Sequence, residues 1–120
     1  MVNSNVIDLG DIPVGGDNPL IFILGPCQLE SRDHAMFMAE KISKVCEPSS
    51  SNFIFKSSFD KANRSSISTA RGVGIEEGLK ILEEVKSTFN CPVVTDIHSI
   101  PQCDVVSKVV DMLQIPAFLS

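Results

Sequence analysis

The sequence has no tryptophan or tyrosine, and its four cysteines include no C-x-x-C pair. Any binding by this protein therefore does not depend on tryptophan or tyrosine rings, and the cysteine spacing argues against a disulfide framework. No apolar run approaches the roughly 18 residues of a membrane span. Residues 1–5 also lack the basic and apolar regions of a secretory signal. We therefore expect a cytoplasmic protein.

The glycine-rich signatures of nucleotide-binding proteins are missing as well. Residues 25–28 contain a single glycine, whereas dinucleotide binders need the G-x-G-x-x-G spacing, and no P-loop occurs in the chain. Basic residues neither spread over a face, as a nucleic-acid surface requires, nor line the polar stripe of an amphipathic membrane helix. We expect neither a nucleic acid nor a membrane as a partner.

Charge is distributed unevenly along the 120 residues. Residues 56–71 carry four basic side chains against Asp60, a formal charge of plus three, whereas the rest of the chain has six basic and fourteen acidic residues. Lysine and arginine mixed with Asn63 and serine hydroxyls suit phosphate or carboxylate groups, so the segment predicts a site for a small anionic ligand. The alternative is a solvated basic loop.

Apolar runs alternate with amphipathic stretches. Residues 20–24 form a continuous apolar run that stops at Gly25, which predicts a strand buried on both faces. Ser31 is placed to cap a helix that Pro48 ends. Ser99, with Gln102 three residues later and Pro101 in the first turn, predicts the start of another helix, with Val105, Val106, Val109 and Val110 on its apolar side. The remaining elements are a helix over 75–89 and strands at 53–55, 91–95 and 112–115.

This order of strands and helices predicts parallel strands joined by right-handed crossovers. An open doubly wound sheet and a closed eightfold barrel both fit, but polar residues follow every strand, which favours the barrel because barrel enzymes build their sites at the carboxyl ends of strands. A barrel needs about 250 residues. We therefore predict one incomplete domain over residues 1–120: the amino-terminal half of a (β/α)8 TIM barrel, with four strands and three helices, preceded by a short strand or hairpin over residues 6–16.

Five segments resemble the 3-deoxy-D-manno-octulosonate 8-phosphate synthases. The longest reads F-K-S-S-F-D-K-A-N-R-S-S from Phe55, and it is specific because the related aldolase of aromatic amino-acid synthesis carries a K-P-R-T-like segment there. The others are Gly25-Pro26-Cys27 with Glu30-Ser31, then Arg71-Gly72 with Gly74, then residues 95–98 and residues 113–119. The resemblance covers the chain from about Val6 onward.

The resemblance implies a condensation of phosphoenolpyruvate with D-arabinose 5-phosphate that releases inorganic phosphate by C–O cleavage. By matching position, Lys56 and Lys61 would bind phosphoenolpyruvate, and Asp96 would lie beside the sugar. The expected catalytic residues are Lys61 and Asp96. The remaining matches are Asn63, Arg64 and Ser65 for arabinose 5-phosphate, with Gln114 and Pro116 in the pocket wall near phosphoenolpyruvate.

Cys27 decides the chemical subclass that the resemblance implies. Members with cysteine after Gly-Pro use it as a ligand to a divalent metal, and a thiolate suits iron, zinc, manganese or cobalt better than magnesium. The other ligands in the family come from later strands that this chain does not contain. Without the resemblance, a lone cysteine at a strand end would be interpreted as a buried, inert side chain. Family members are usually homotetramers.

Three other interpretations stay open. The spacing of Asp96 and His98 puts both side chains on one side of a strand, but His98 also fits a satisfied core histidine. The chain could act on a different aldose, as related phosphoenolpyruvate-dependent sugar-acid synthases do. It could also be a half-barrel without enzymatic activity that binds anions or pairs with another half, since exposed strand edges promote association.

Overall fold

The protein has a mixed α/β fold, seen here in a computed structural model that describes residues 5–60 and 72–120. Strands β3 to β6 form a parallel sheet in chain order, and a helix follows each of β3, β4 and β5, which confirms the predicted alternation. The strands are β1 (Val6–Leu9), β2 (Ile12–Gly15), β3 (Phe22–Leu24), β4 (Phe53–Lys56), β5 (Val93–Asp96) and β6 (Met112–Gln114), and the helices are α1 (Arg32–Cys46), α2 (Ile75–Phe89) and α3 (Gln102–Val106).

Strands β1 and β2 pair antiparallel ahead of the sheet. Leu9 lies opposite Ile12 across a two-residue turn, and Val6 lies opposite Gly15 at the open end. A second turn follows at Gly15, whose carbonyl oxygen accepts from the backbone N–H of Asn18 at 3.2 Å. Leu9 is buried on one face of the parallel sheet, so this antiparallel pair covers sheet residues that no helix reaches.

The two central strands are buried on both faces. On the helical face, Phe55 of β4 belongs to a buried cluster with Leu82 of α2. On the opposite face, Ile54 and Val94 form a smaller buried cluster with Leu9. Full burial of a side chain of this size contributes about 1.5–3 kcal/mol to stability, so β4 and β5 anchor the sheet.

The first predicted strand is not buried on both faces, which corrects the interpretation of its apolar run. Strand β3 lies at one edge of the sheet, paired with β4 alone among the described strands. Its residues Phe22 and Ile23 are 41% and 49% exposed. The prediction was wrong because an unbroken apolar run indicates burial without specifying whether a strand has a neighbour on each side.

The predicted caps are partly confirmed. The Ser31 hydroxyl accepts the backbone N–H of His34 at 3.1 Å and so caps α1, which ends at Cys46 before Pro48. Helix α3 differs from its prediction, because Pro101 is the residue before its first turn and no side chain caps that end. The backbone N–H of Gln102 instead donates to the carbonyl of Ser99 at 3.2 Å.

Helix α3 is also shorter than its apolar spacing suggests. It ends at Val106, which is fully buried, while Val105 is 48% exposed. Soon after the helix, the backbone N–H of Asp111 donates to the carbonyl of Val93 at 3.0 Å. This bond brings the chain into β6, so the tertiary pairing ends the helix before its apolar pattern does.

A charged pair connects α1 and α2. The Arg32 guanidinium donates from Nε to Glu84 Oε2 at 2.9 Å, and its Nη2 contacts Glu84 Oε1. This ion pair lowers the pKa of the Glu84 carboxyl and raises that of Arg32. Both side chains are partly exposed, so the pair orients the helices more than it stabilises them. Within residues 5–60 and 72–120, no helix has the length and apolar character needed to cross a bilayer.

Candidate active site

The loop after β3 packs against the last residues of β4. A Cβ atom on Gly25 would overlap the backbone carbonyl of Lys56, so only glycine permits this approach of the two chains. Beyond it, the Ser57 hydroxyl is fully buried and donates to the carbonyl of Pro26 at 2.8 Å. The glycine-proline turn and the segment that follows β4 are therefore fixed side by side.

Cys27 lies on this loop with an exposed thiol. Its carbonyl accepts the backbone N–H of Ser58 at 3.3 Å, and the carbonyl of Ser58 accepts from Leu29 at 2.9 Å. These bonds continue the parallel pairing past the ends of β3 and β4, where an isolated bridge joins Gln28 and Ser58. The backbone of Cys27 is held while its sulfur stays accessible.

Lys56, Asp96 and Gln114 occupy the last positions of three adjacent strands. Lys56 pairs with Val94 of β5, and Asp96 pairs with Gln114 of β6. Side chains alternate between the faces of a strand, and Val94 belongs to the cluster on the face away from the helices. Lys56, Asp96 and Gln114 therefore share that face at the carboxyl edge of the sheet.

Asp96 and His98 form a buried pair. The Nε2 atom of His98 lies 3.2 Å from Oδ2 of Asp96, and each side chain is only 10% exposed. A carboxylate can only accept, so this hydrogen bond needs the proton on Nε2. Neither Asp96 Oδ1 nor His98 Nδ1 has a hydrogen-bond partner in the part of the chain that the structure describes. In the neutral imidazole with its proton on Nε2, Nδ1 accepts, as does Oδ1 of the carboxylate, so the two orphaned atoms leave capacity for two donors from a ligand.

The loop after β5 is held to β6. The backbone N–H of Ile97 donates to the carbonyl of Gln114 at 3.0 Å, which extends the pairing beyond Asp96. Pro116 follows Gln114 by two residues and is half-buried at the start of a short 3-10 turn, where its carbonyl accepts from Leu119 at 2.9 Å. Gln114 and Pro116 thus lie on the strand and loop next to Asp96.

Phe59 connects this edge to α2. Its ring packs edge-on against the His98 ring, with centroids 5.7 Å apart and planes at 83°. A Cβ atom on Gly78 of α2 would overlap the Cβ of Phe59, so the helix passes this side chain only because position 78 is glycine. Phe59 is fully buried, and its ring supports the His98 ring through this contact.

Sequence reasoning missed three residues that build this edge, namely Ser57, Phe59 and Gln102. Ser57 and Phe59 belong to the motif that carries the resemblance, but both side chains are buried, so they hold the motif in place. Gln102 was interpreted as a helix cap, yet its Oε1 accepts the backbone N–H of His98 at 2.7 Å. The Ser99–Gln102 spacing was the available signal, although it does not specify which backbone N–H the amide would bind.

Four candidate residues lie outside the described residues, namely Lys61, Asn63, Arg64 and Ser65. No group of three or more histidine, cysteine, aspartate or glutamate side chains suited to a metal occurs within the two described ranges. The described part of the chain thus offers Cys27 as a single exposed donor rather than a ligand set, and we assign no reaction step to a metal.

A parallel sheet with helices on one face and polar side chains at its carboxyl edge is typical of α/β enzymes that bind ligands at that edge. The chain belongs to the DAHP synthetase I family, whose family model matches residues 2–120.

Curated relatives agree with the resemblance found in the motifs. The chain is 58% identical over 116 residues to the 2-dehydro-3-deoxyphosphooctonate aldolase of Rickettsia bellii, and 58% identical to that of Rickettsia prowazekii. The protein of the same name from Rickettsia rickettsii is 57% identical. These alignments cover 97% of this chain and 42% of each relative, so the chain spans about two fifths of the length of the relatives it matches. The name denotes the synthase family that the sequence motifs resemble, which confirms the resemblance.

Proposed function

We propose that the protein to which this sequence belongs condenses phosphoenolpyruvate with D-arabinose 5-phosphate. The products are 3-deoxy-D-manno-octulosonate 8-phosphate and inorganic phosphate, in the synthesis of the lipopolysaccharide sugar KDO. The third carbon of phosphoenolpyruvate forms a bond with the aldehyde carbon of the sugar, water adds to the second carbon, and the C–O bond to phosphate breaks. The observation that supports this proposal is that Lys56, Asp96 and Gln114 share one face of the sheet at its carboxyl edge.

Positioning and electrostatics account for the roles that we assign to these residues. The ammonium groups of Lys56 and Lys61 would neutralise phosphoenolpyruvate, whose phosphate and carboxylate carry the charge that lysines meet as point charges. Asp96 would accept a hydroxyl of the sugar through the carboxylate oxygen that His98 leaves open. Asn63, Arg64 and Ser65 would hold the sugar and its phosphate, and Gln114 and Pro116 would form the wall beside phosphoenolpyruvate.

We also propose that this chain forms the amino-terminal half of a barrel. Strands β3 and β6 are the edges of the parallel sheet, and each pairs with one neighbour among the described strands. Apolar side chains are exposed at both edges, among them Ile23 on one side and Ile115 on the other. Further parallel strands would satisfy these edges and cover that apolar surface. The resemblance also supports a homo-oligomer, a tetramer in most family members.

Cys27 is our proposed ligand for a divalent metal, with its other ligands outside this chain. The exposed thiol and its fixed backbone support this role, since a ligand must be accessible and its loop ordered. When bound, such a metal supplies Lewis-acid chemistry at the aldehyde or at water. Replacing Cys27 by asparagine should lower the metal content of the purified native protein, whereas Cys103→Ser should not. Equal metal content in the two variants would refute the ligand role.

The experiment that tests the reaction uses the native gene product, purified at the mass at which it occurs. Phosphoenolpyruvate labelled with ¹⁸O at the bridging oxygen is supplied with arabinose 5-phosphate, and both the sugar product and the phosphate are analysed. We expect the label to leave with phosphate, because C–O cleavage keeps the bridging oxygen on phosphorus. Erythrose 4-phosphate serves as the competing aldose.

Each other outcome identifies a specific alternative. Faster turnover of erythrose 4-phosphate would mean that the same pocket serves a different sugar-acid synthesis. No turnover of either aldose, in a product of this length that self-associates, would favour the non-catalytic half-barrel, whose association the edges of β3 and β6 would promote.

A further inference from the structure

His98 is held at three separate points. Its Nε2 bonds to Asp96 Oδ2 at 3.2 Å, its ring lies edge-on against Phe59, and its backbone N–H donates to Gln102 Oε1 at 2.7 Å. The last of these is the shortest, and it comes from a side chain four residues away on α3. This bond joins the loop after β5 to the first residue of α3.

We propose that Gln102 is a positioning residue that acts through His98 on the carboxylate of Asp96. The proposal rests on the function proposed above, because Asp96 is there assigned to the sugar. Gln102 touches neither Asp96 nor, in this assignment, the substrate. It fixes the backbone from which the imidazole reaches back to Oδ2.

The consequence for Asp96 follows from hydrogen-bond counting. Oδ2 is occupied by His98, and Oδ1 has no partner within the described residues. A buried carboxylate oxygen without a donor is costly, so the pair is arranged for a donor that arrives with a ligand. If the imidazole shifts, Oδ2 is released, the carboxylate can rotate, and the direction in which Oδ1 accepts is no longer defined.

A simpler role for Gln102 is to stabilise the start of α3. This role predicts a loss of stability alone, whereas positioning predicts a change at the imidazole even in protein that is fully folded. Gln102→Glu keeps an oxygen acceptor of the same reach, Gln102→Leu removes it at similar volume, and Ser107→Ala removes the exposed bond from Ser107 Oγ to the Asp104 carbonyl at the other end of α3.

The test combines a spectroscopic and a kinetic measurement on the native protein. Long-range ¹⁵N–¹H spectra of histidine-labelled protein, with the His98 signals assigned by comparison with His98→Gln, report which ring nitrogen carries the proton. We expect the Nε2–H tautomer in the wild type and in Gln102→Glu. Gln102→Leu should give a mixture of tautomers and lose the ring-current shift caused by Phe59, and Ser107→Ala should resemble the wild type.

In steady-state kinetics, Gln102→Leu should raise the KM for arabinose 5-phosphate about fivefold, the factor equivalent to one hydrogen bond of about 1 kcal/mol. The KM for phosphoenolpyruvate should stay within twofold, and Gln102→Glu should restore the wild-type value. An unchanged His98 spectrum in folded Gln102→Leu would overturn the positioning role. If the wild type does not use arabinose 5-phosphate, the proposed function fails while the spectra still decide whether Gln102 fixes His98.

Discussion

The backbone N–H of Gly74 donates to the carbonyl oxygen of Phe59 at 3.0 Å. Phe59 is the third residue after β4, and Gly74 immediately precedes α2. The bond therefore joins the chain shortly before residues 61–71 to the chain shortly after them. That segment contains four of the candidate binding residues. Its attachment points are thus set by the buried Phe59 rather than by surface residues.

Gly78→Ala is expected to destabilise the protein. Alanine usually stabilises a helix interior relative to glycine by about 1 kcal/mol, but here its Cβ would overlap the Cβ of Phe59. Overpacking of this kind costs about 1–3 kcal/mol, so the sign of the usual effect should reverse. Urea denaturation measures the change, with Lys80→Ala at an exposed position of the same helix as the control. A gain in stability for Gly78→Ala would show that α2 moves aside without cost.

Stability should depend on pH through the Arg32–Glu84 pair. The Arg32 guanidinium holds the pKa of Glu84 below its ordinary value of 4.5. The pair therefore contributes fully above that ordinary pKa, and its contribution is lost as the pH falls through the lowered pKa of the folded state. The difference in unfolding free energy between wild type and Glu84→Gln should shrink as the pH is lowered below that ordinary value of 4.5. A difference that is constant between pH 7 and pH 2 would contradict the ion pair.

Cysteine reactivity should separate Cys27 from Cys91. Burial, with a smaller effect of Asp111, raises the pKa of the Cys91 thiol to about 11. The thiolate is the reactive form, so Cys91 should resist iodoacetamide at pH 8.5, whereas the exposed Cys27 should be modified first. Peptide mass spectrometry gives both rates, and urea-unfolded protein, in which the two should react alike, is the control. Equal rates in the folded protein would mean that Cys91 is not enclosed.

The raised pKa of Cys91 also makes the stability of the protein depend on pH in the alkaline range. Because the folded-state pKa of Cys91 lies above its ordinary value of 9.0, this thiol contributes stability below pH 9, and the contribution is lost as the pH rises towards about 11. Cys91→Ala should be less sensitive than the wild type to pH over this interval.

If the proposed function holds, Lys61→Ala in the native protein should weaken phosphoenolpyruvate binding. Loss of a hydrogen bond to a charged group costs about 1.5–3 kcal/mol, which corresponds to a KM for phosphoenolpyruvate raised about tenfold or more. The KM for arabinose 5-phosphate should change less. Lys80→Ala, which removes an exposed lysine from α2, is the matched control. Identical kinetics for Lys61→Ala and the wild type would exclude Lys61 from the phosphoenolpyruvate site.

The sequence by itself determined the order of strands and helices, the cap at Ser31 and the motifs that identify the family. These features depend on local periodicity, on single capping side chains and on short strings of residues, which are all readable along the chain. Periodicity also predicted that Asp96 and His98 would lie on the same side, because it reports the direction of side chains within one element.

Only the tertiary structure decided that β3 is an edge among the described strands, that α3 ends at Val106 and that Gln102 binds the backbone of His98. The first two depend on which segments become neighbours after the crossovers and on the register at which they pair, whereas the third is local, and the Ser99–Gln102 spacing does not specify which backbone N–H the amide binds. The sequence pattern cannot supply this, because a hydrogen bond such as that from Asp111 to Val93 joins residues that are far apart along the chain and forms only when the sheet assembles.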